Sequence, residues 1–214
     1  MHSKYTTKND HTSEAYLMDC MELMAKYPDN YFDLAVVDPP YGIKNMNAGG
    51  RGMNGWSDWR GKEWDNSIPT NEYFNELKRV SKNQIVWGGN YFPLEPTKCW
   101  IIWDKGQRDF SLADGEMAWT SFDKAMRIFE LSRGTANAED KIHPTQKPVK
   151  LYEWIYQKYL PSGGKVLDTH LGSGSSRIAA YKGGFNFVGC EIDAEYFDQQ
   201  EKRFSIFTQQ LTLF

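Results

Sequence analysis

Short apolar runs recur along the chain between polar or turn-forming residues, a pattern typical of buried strands. These runs lie at 15–18, 34–37, 84–87, 100–103, 117–119, 125–131, 165–167 and 186–189. Apolar positions spaced three and four apart predict helices over 71–81, 149–159, 175–182 and 194–204. Because strands alternate with helices, we predict an α/β fold, with a hairpin-like stretch between 100 and 131.

Length and composition favour one globular domain. The chain has 214 residues, of which 40% are apolar and 15% aromatic, and its net charge is −3. The apolar runs are shorter than the about 20 residues of a membrane span, and the polar start lacks the apolar stretch of a secretory leader. Cys20, Cys99 and Cys190 are too far apart for a disulfide framework or a zinc site. We therefore expect free thiols, no metal, no membrane association and a cytoplasmic location.

The tetrapeptide Asp38-Pro39-Pro40-Tyr41 directly follows a buried strand. It therefore stands at a carboxyl edge of the sheet, where open α/β sheets bind ligands. The prolines remove two N–H donors, so the Asp38 carboxylate and the Pro39 carbonyl remain as acceptors beside the flat face of Tyr41. This arrangement suits a planar group with an NH₂ on its edge, activated mainly by positioning and electrostatics. A strand-ending turn without a ligand is the alternative.

A second candidate site lies at 166–176, where a strand runs into a glycine-rich turn and then a helix. Gly172 and Gly174 allow close approach of a ligand, and the helix start offers unpaired N–H groups. A further strand ends in Glu191, 23 residues after Asp168, and an acid at this spacing commonly binds ribose hydroxyls. Since the third glycine of the dinucleotide fingerprint is missing, we predict a nucleoside ligand without a pyrophosphate. A tight turn with no ligand is the alternative.

Together, these two elements resemble the S-adenosylmethionine-dependent amino-methyltransferases that act on DNA bases. The segment 38–41 resembles the family's catalytic motif and 168–174 its cofactor loop, in the order of the permuted beta group of N6-adenine and N4-cytosine enzymes. Two further stretches match: 16–20 (YLMDC) is similar to a segment that contacts the cofactor's adenine, and 141–148 (KIHPTQKP) to one that holds its methionine end.

The resemblance implies a doubly wound, Rossmann-like sheet that is mostly parallel, with one antiparallel strand, and circularly permuted. The N-terminal strand 15–18 would then lie beside the second cofactor strand, 186–189. We expect a single catalytic domain over 1–214, with a mobile loop at about 42–66 and a reduced recognition region at about 105–141.

The resemblance also implies roles for individual residues. Asp38 and the Pro39 carbonyl would hold the target amine next to Pro40, and Tyr41 would stack on the base. The cofactor, S-adenosyl-L-methionine, would be bound by Asp19, Cys20, Asp38, Thr145, Lys147, Asp168, Leu171, Gly172, Ser173, Gly174, Glu191 and Ile192.

The expected partner is double-stranded DNA, in which the amine is stacked inside the helix, so the target base must be extruded. Tryptophans and cations alternate in the loop at about 42–66, which suits a clamp on the nucleic acid. The alternative is that the tryptophans anchor this loop to the body. The expected DNA contacts are Lys44, Arg51, Trp56, Arg60, Lys62 and Lys105.

The region 105–141 leaves little room for the recognition domain that relatives often insert, and acids match its cations. Because phosphate contacts dominate DNA affinity, we expect weak DNA binding, a homodimer or an accessory specificity partner.

The expected function is site-specific methylation of adenine N6 by a bacterial or phage enzyme of the restriction–modification type, because Asp rather than Ser at position 38 resembles the adenine type. The first alternative is N4 methylation of cytosine. The second is methylation of RNA or of a protein glutamine amide, whose enzymes tend to carry Asn at the first motif position and the cofactor loop ahead of it. The third is a non-catalytic nucleic-acid-binding module.

Overall fold

The structure is a computed structural model that describes residues 1–7, 10–43, 68–108, 113–136, 142 and 146–211. Its strands are β1 His2–Thr6, β2 Thr12–Leu17, β3 Leu34–Val37, β4 Gln84–Trp87, β5 Ile101–Asp104, β6 Gly115–Thr120, β7 Arg127–Glu130, β8 Lys165–Asp168 and β9 Asn186–Glu191. Its helices are α1 Cys20–Met24, α2 Asn71–Val80, α3 Arg133–Ala136, α4 Val149–Tyr159, α5 Ser175–Gly183 and α6 Ala194–Leu211, with a 3₁₀ turn at Gly89–Tyr91.

These strands form a single sheet in the order β1-β2-β9-β8-β3-β4-β6-β5-β7. The five neighbours from β2 to β4 run parallel, as does β5 with β7. The predicted mixed, mostly parallel α/β sheet is therefore confirmed. Two strands, β1 and β6, run against the others, rather than the one expected. The additional strand, β1, is a polar hairpin partner of β2 with no apolar run to indicate it.

The N-terminal strand β2 pairs in parallel with β9, and Leu17 lies opposite Glu191. The expected position of this strand beside the second cofactor strand is thus confirmed. The fully buried Arg177 of α5 ties this edge together, because its guanidinium donates to the Ser13 hydroxyl of β2 at 3.0 Å and forms an ion pair with Glu201 of α6 at 2.6 Å.

The core lies on both faces of the sheet. In β3, Leu34 and Val36 pack against the side covered by α4, α5 and α6, whereas Ala35 and Val37 pack against the side of α1 and α2. A strand buried on both faces reads as an uninterrupted apolar run, which is why β3 was recognisable from the sequence.

The described part of the structure contains no helix that is both long and apolar enough to cross a membrane. Of the expected mobile loop at 42–66, only Gly42 and Ile43 are among the described residues. The region 105–141 is described in part, and it contributes β6, β7 and α3 to the sheet and its edge.

Candidate active site

The two predicted ligand-binding elements meet at one edge of the sheet. Strands β3 and β8 are parallel neighbours, with Leu34 opposite Val166 and Ala35 opposite Leu167. Asp38 and Asp168 therefore stand at adjacent carboxyl ends. Burial raises the pKa of Asp168 to about 7, and the nearby charge of Asp38 adds to this shift. The acceptor motif and the glycine-rich turn thus lie within electrostatic range of each other, as the family resemblance implied.

Both oxygens of the Asp38 carboxylate have hydrogen-bond donors. The Tyr41 hydroxyl donates to Oδ1 at 2.6 Å, and the Lys147 ammonium donates to Oδ2. Burial and the neighbouring Asp38 and Glu116 carboxylates raise the pKa of Tyr41, so its phenol remains a neutral donor. The proline pair between them fixes the backbone that joins the two side chains, with Pro39 buried and Pro40 half-buried.

The ring of Tyr41 is held by a second segment that sequence reasoning missed. Tyr91 stacks on it with ring centroids 5.0 Å apart and planes 14° from parallel. Gly88, at φ +66°, lies so close that a Cβ there would stand 2.2 Å from Tyr41 Cε1. Two glycines directly after the buried strand β4 were the available signal, because such glycines mark close approach at a strand's carboxyl end.

Lys147 was expected to approach the cofactor's carboxylate. In the structure, its side chain is 2% exposed and its ammonium contacts Asp38 and, at 3.3 Å, Glu116. It also lies 5.1 Å from the centroid of the Trp87 ring. Burial lowers the pKa of Lys147, but the carboxylates of Asp38 and Glu116 outweigh this and raise it above its usual value.

Lys105 was expected to contact DNA, and its position differs from that expectation. It is 6% exposed, its Nζ lies 2.6 Å from Glu116 Oε1, and it sits 5.0 Å from the centroid of the Trp103 ring. Glu116 offers the ammonium a partner inside the fold, so Lys105 points into the protein rather than toward a duplex backbone. The other expected DNA contacts, Lys44, Arg51, Trp56, Arg60 and Lys62, lie outside the described residues, as does Thr145.

The glycine-rich turn is closed by carboxylates at both ends. Asp168 accepts a hydrogen bond from the backbone N–H of His170 at 3.0 Å and another from the Ser176 hydroxyl. Glu191 accepts from the backbone N–H groups of Gly172 and Ile192, each at 2.9 Å.

The remaining turn residues, Leu171 and Ser173, are buried. Gly174 has φ +71°, in the left-handed region that favours glycine, and it starts α5. A Cβ at this position would lie 3.1 Å from Gln200 Oε1 of α6.

The segment 16–20 lies next to this turn. Asp19 caps α1 by accepting from the backbone N–H of Met21 at 2.7 Å, and its charge acts on His170. Cys20 begins α1, and burial raises the pKa of its thiol to about 11, so it stays protonated. Ile192 is 70% exposed at the end of β9 and offers an apolar surface at the same edge.

This combination places the protein in the class of open α/β sheets that carry polar side chains and a glycine-rich turn at the carboxyl ends of adjacent parallel strands, where such sheets bind ligands. The family model described as DNA methylase, of N6/N4 methyltransferases, matches residues 94–202, just over half of the chain. The chain therefore belongs to the DNA methylase family. The predicted membership in the S-adenosylmethionine-dependent DNA amino-methyltransferases is therefore confirmed.

Similar proteins agree with this assignment. The chain is 27% identical to the type II methyltransferase M.HinfI of Haemophilus influenzae. The alignment extends over 252 residues and covers 91% of this chain and 69% of that one. Its fold is similar to that of M1.HpyAVI in complex with SAM (TM-score 0.59, 18% identity, 88% of this chain and 98% of that one). It is also similar to PvuII DNA methyltransferase, described as cytosine-N4-specific (TM-score 0.62, 16% identity, 94% and 88%).

Proposed function

We propose that this chain transfers the methyl group of S-adenosyl-L-methionine to the exocyclic N6 amine of adenine in double-stranded DNA, at a specific sequence. The observation that carries the proposal is the placement of Asp38 and Asp168 at adjacent carboxyl ends of β3 and β8. The amine nitrogen would form a bond to the methyl carbon as the sulfur–carbon bond breaks and S-adenosylhomocysteine leaves, and the nitrogen would then lose its proton to the Asp38 carboxylate and from there to solvent.

The acceptors at the end of β3 fit the amine. The Asp38 carboxylate and the Pro39 carbonyl each accept one N–H of the extruded base, which makes the nitrogen lone pair more available for attack. The stacked rings of Tyr41 and Tyr91 provide a flat surface for the base. Because little covalent chemistry is needed from the protein, positioning and electrostatics supply most of the rate.

The ends of β8 and β9 fit the cofactor. In the proposed complex, Glu191 binds the ribose hydroxyls while keeping its bonds to the loop backbone, and Ile192 lies against the adenine with Asp19 and Cys20 at its edge. Asp168 stands nearest the positively charged methionine end. Leu171, Gly172, Ser173 and Gly174 supply the turn over which the cofactor lies.

Binding to the duplex is the part of the proposal that involves the segment 44–67, outside the described residues. With a net charge of −3, the protein would gain the necessary phosphate contacts as a homodimer or through an accessory partner. The similarity to a cytosine-N4-specific enzyme makes N4-cytosine methylation the second candidate, and Asp rather than Ser at position 38 supports adenine.

The base and its sequence context can be determined together. The chain is expressed in a bacterial host that lacks its own DNA methyltransferases, and the host DNA is analysed by single-molecule sequencing. We expect N6-methyladenine at one recurrent sequence. N4-methylcytosine would overturn the choice of base, and unmodified DNA from a host that makes the folded protein would overturn the proposal.

Gly88→Ala should disable the enzyme by displacing Tyr41, because the added methyl group would stand 2.2 Å from the ring. Gly106→Ala is a matched control: its φ of +61° imposes similar backbone strain, yet its nearest neighbours lie at 3.9 Å. We expect kcat to fall about 100-fold in the first variant and less than about threefold in the second. Equal losses in both variants would show that backbone strain, rather than the position of Tyr41, is responsible.

Cofactor affinity should depend on pH through Asp168, which is 2% exposed and has a pKa of about 7 without ligand. A cationic ligand next to the carboxylate favours its charged form, so the pKa falls on binding and a proton is released. Affinity should therefore rise by up to about tenfold per pH unit below pH 7 and level off above it. Burial lowers the pKa of His170 to about 4, so it does not titrate in this range.

Titration calorimetry between pH 6 and 8, in buffers of different ionisation enthalpy, measures both the affinity and the proton released. Asp168→Asn should bind with an affinity nearly independent of pH. A wild-type affinity that is constant over this range would contradict the placement of the cationic end beside Asp168.

A further inference from the structure

A row of four paired charged side chains leads from Lys105, at the end of β5, to Asp38. The Lys105 ammonium binds Glu116 at 2.6 Å, Glu116 binds the Lys147 ammonium at 3.3 Å, and Lys147 binds Asp38. Glu116 belongs to β6, and Lys105 directly follows β5, the antiparallel partner of β6. The region expected to serve DNA recognition is therefore connected to the Asp38 carboxylate through these ion pairs.

These four side chains are largely buried, so each charge needs a partner of opposite sign. The side chain of Lys147 is 2% exposed, that of Lys105 7% and that of Glu116 29%. A buried ammonium group is costly unless it is paired and hydrogen-bonded. Burial raises the pKa of Glu116, but the two ammonium groups outweigh it and bring the net value below its usual range. Two cations and two anions thus alternate in this row of ion pairs.

The two hydrogen bonds to Asp38 fix the orientation of its carboxylate plane. Tyr41 holds Oδ1 and Lys147 holds Oδ2, and each oxygen retains a second lone pair that can accept a hydrogen bond from a target amine. Without Lys147, the carboxylate keeps one holder and can rotate about χ2. A misplacement of about 1 Å in an active site can cost about 100-fold in rate.

We propose that Lys147 and Glu116 are positioning residues for Asp38: Lys147 orients the carboxylate toward the base, and Glu116, anchored by Lys105, keeps Lys147 in place. This role replaces the expected contact of Lys147 with the cofactor's carboxylate. It rests on the proposed function, because it assigns Asp38 to the amine.

The test separates turnover from cofactor binding. In Lys147→Met, which removes the charge and keeps the length, we expect kcat to fall about 100-fold while the Kd of S-adenosylmethionine stays within twofold. Glu116→Gln should lower kcat about tenfold, again without changing the Kd. Lys78→Met is the control, since Lys78 forms an exposed ion pair with Glu95 at 3.0 Å and should have wild-type activity.

Chemical rescue adds a result that a merely structural role would not give. In Lys147→Ala, added propylammonium should restore kcat at least about fivefold, because a small cation can refill the space beside Asp38. If thermal melting shows that the Lys147 variants do not fold, Glu116→Gln carries the same comparison of kcat with Kd.

Three results would overturn the proposal. The first is a Kd that rises in step with the loss of turnover, which would assign Lys147 to the cofactor. The second is unchanged kcat in folded Lys147→Met or, where that variant does not fold, in Glu116→Gln, while wild type methylates DNA. The third is a wild-type chain that binds S-adenosylmethionine but methylates no DNA, which would overturn the proposed function and this inference with it.

Discussion

Asp38→Ala will reduce methyl transfer to DNA by about 10²–10³-fold, the cost typical of losing one electrostatic contact to the reacting group. The alanine removes the acceptor for the target amine and the partner of the Tyr41 hydroxyl. The resemblance also implied a cofactor contact for Asp38, but we assign it to the amine, because it stands at the end of β3 while the cofactor loop follows β8. The Kd of S-adenosylmethionine should therefore change by no more than a few-fold. Single-turnover kinetics with a labelled methyl group and calorimetry measure the two quantities.

Asp38→Asn is the matched control, since it keeps the shape and one acceptor oxygen, and it should retain more activity than the alanine variant. Thermal melting checks that both variants fold, because Lys147 keeps only Glu116 as an ionic partner when Asp38 is removed. A cofactor Kd that rises as much as turnover falls would contradict the separation of amine-binding from cofactor-binding residues.

Glu191→Ala will have the opposite profile and weaken cofactor binding by about 10–100-fold. A hydrogen bond to a charged acceptor contributes about 1.5–3 kcal/mol, and the ribose would lose such bonds. The loop would also lose the acceptor that holds the Gly172 and Ile192 N–H groups. At saturating S-adenosylmethionine, kcat should remain within a few-fold of wild type.

Calorimetry and initial rates over a wide range of cofactor concentration separate the two effects. Glu191→Gln retains one acceptor oxygen, which can hold either the Gly172 N–H or the Ile192 N–H but not both, so it should lie between wild type and the alanine variant. A variant whose turnover stays low at saturating cofactor, while its Kd is unchanged, would contradict the role given to Glu191.

The central strands were predictable because they are buried on both faces. The apolar run at 34–37 coincides with β3 at Leu34–Val37. The edge strand β1 was missed because its residues are polar and alternate between exposed and half-buried. Helix α1, with five residues, was too short for its periodicity to be recognised, and Asp19, assigned to the cofactor by resemblance, proved to cap it.

The site was predictable where the arrangement of the strands alone sets the position of a residue. Residues that end parallel strands meet at one edge, so the strand arrangement implied by the family resemblance was enough to place Asp38, Asp168 and Glu191 together. The contacts of Lys105, Glu116 and Lys147 could not be predicted, because charged residues far apart in sequence give no signal of which will pair inside the fold. Gly88 and Tyr91 were missed for a related reason: they support the ring of Tyr41 from the segment that follows β4, which is distant from Tyr41 in sequence.

The central claim is that a carboxylate on β3 presents an adenine amine to a methyl group held at the end of β8. Its most direct test is to incubate the purified chain with duplex DNA and methyl-labelled S-adenosylmethionine, digest the DNA to nucleosides and identify the labelled product. We expect labelled N6-methyldeoxyadenosine with wild type and almost none with Asp38→Ala. Label in any other nucleoside, or equal label with both proteins, would contradict it.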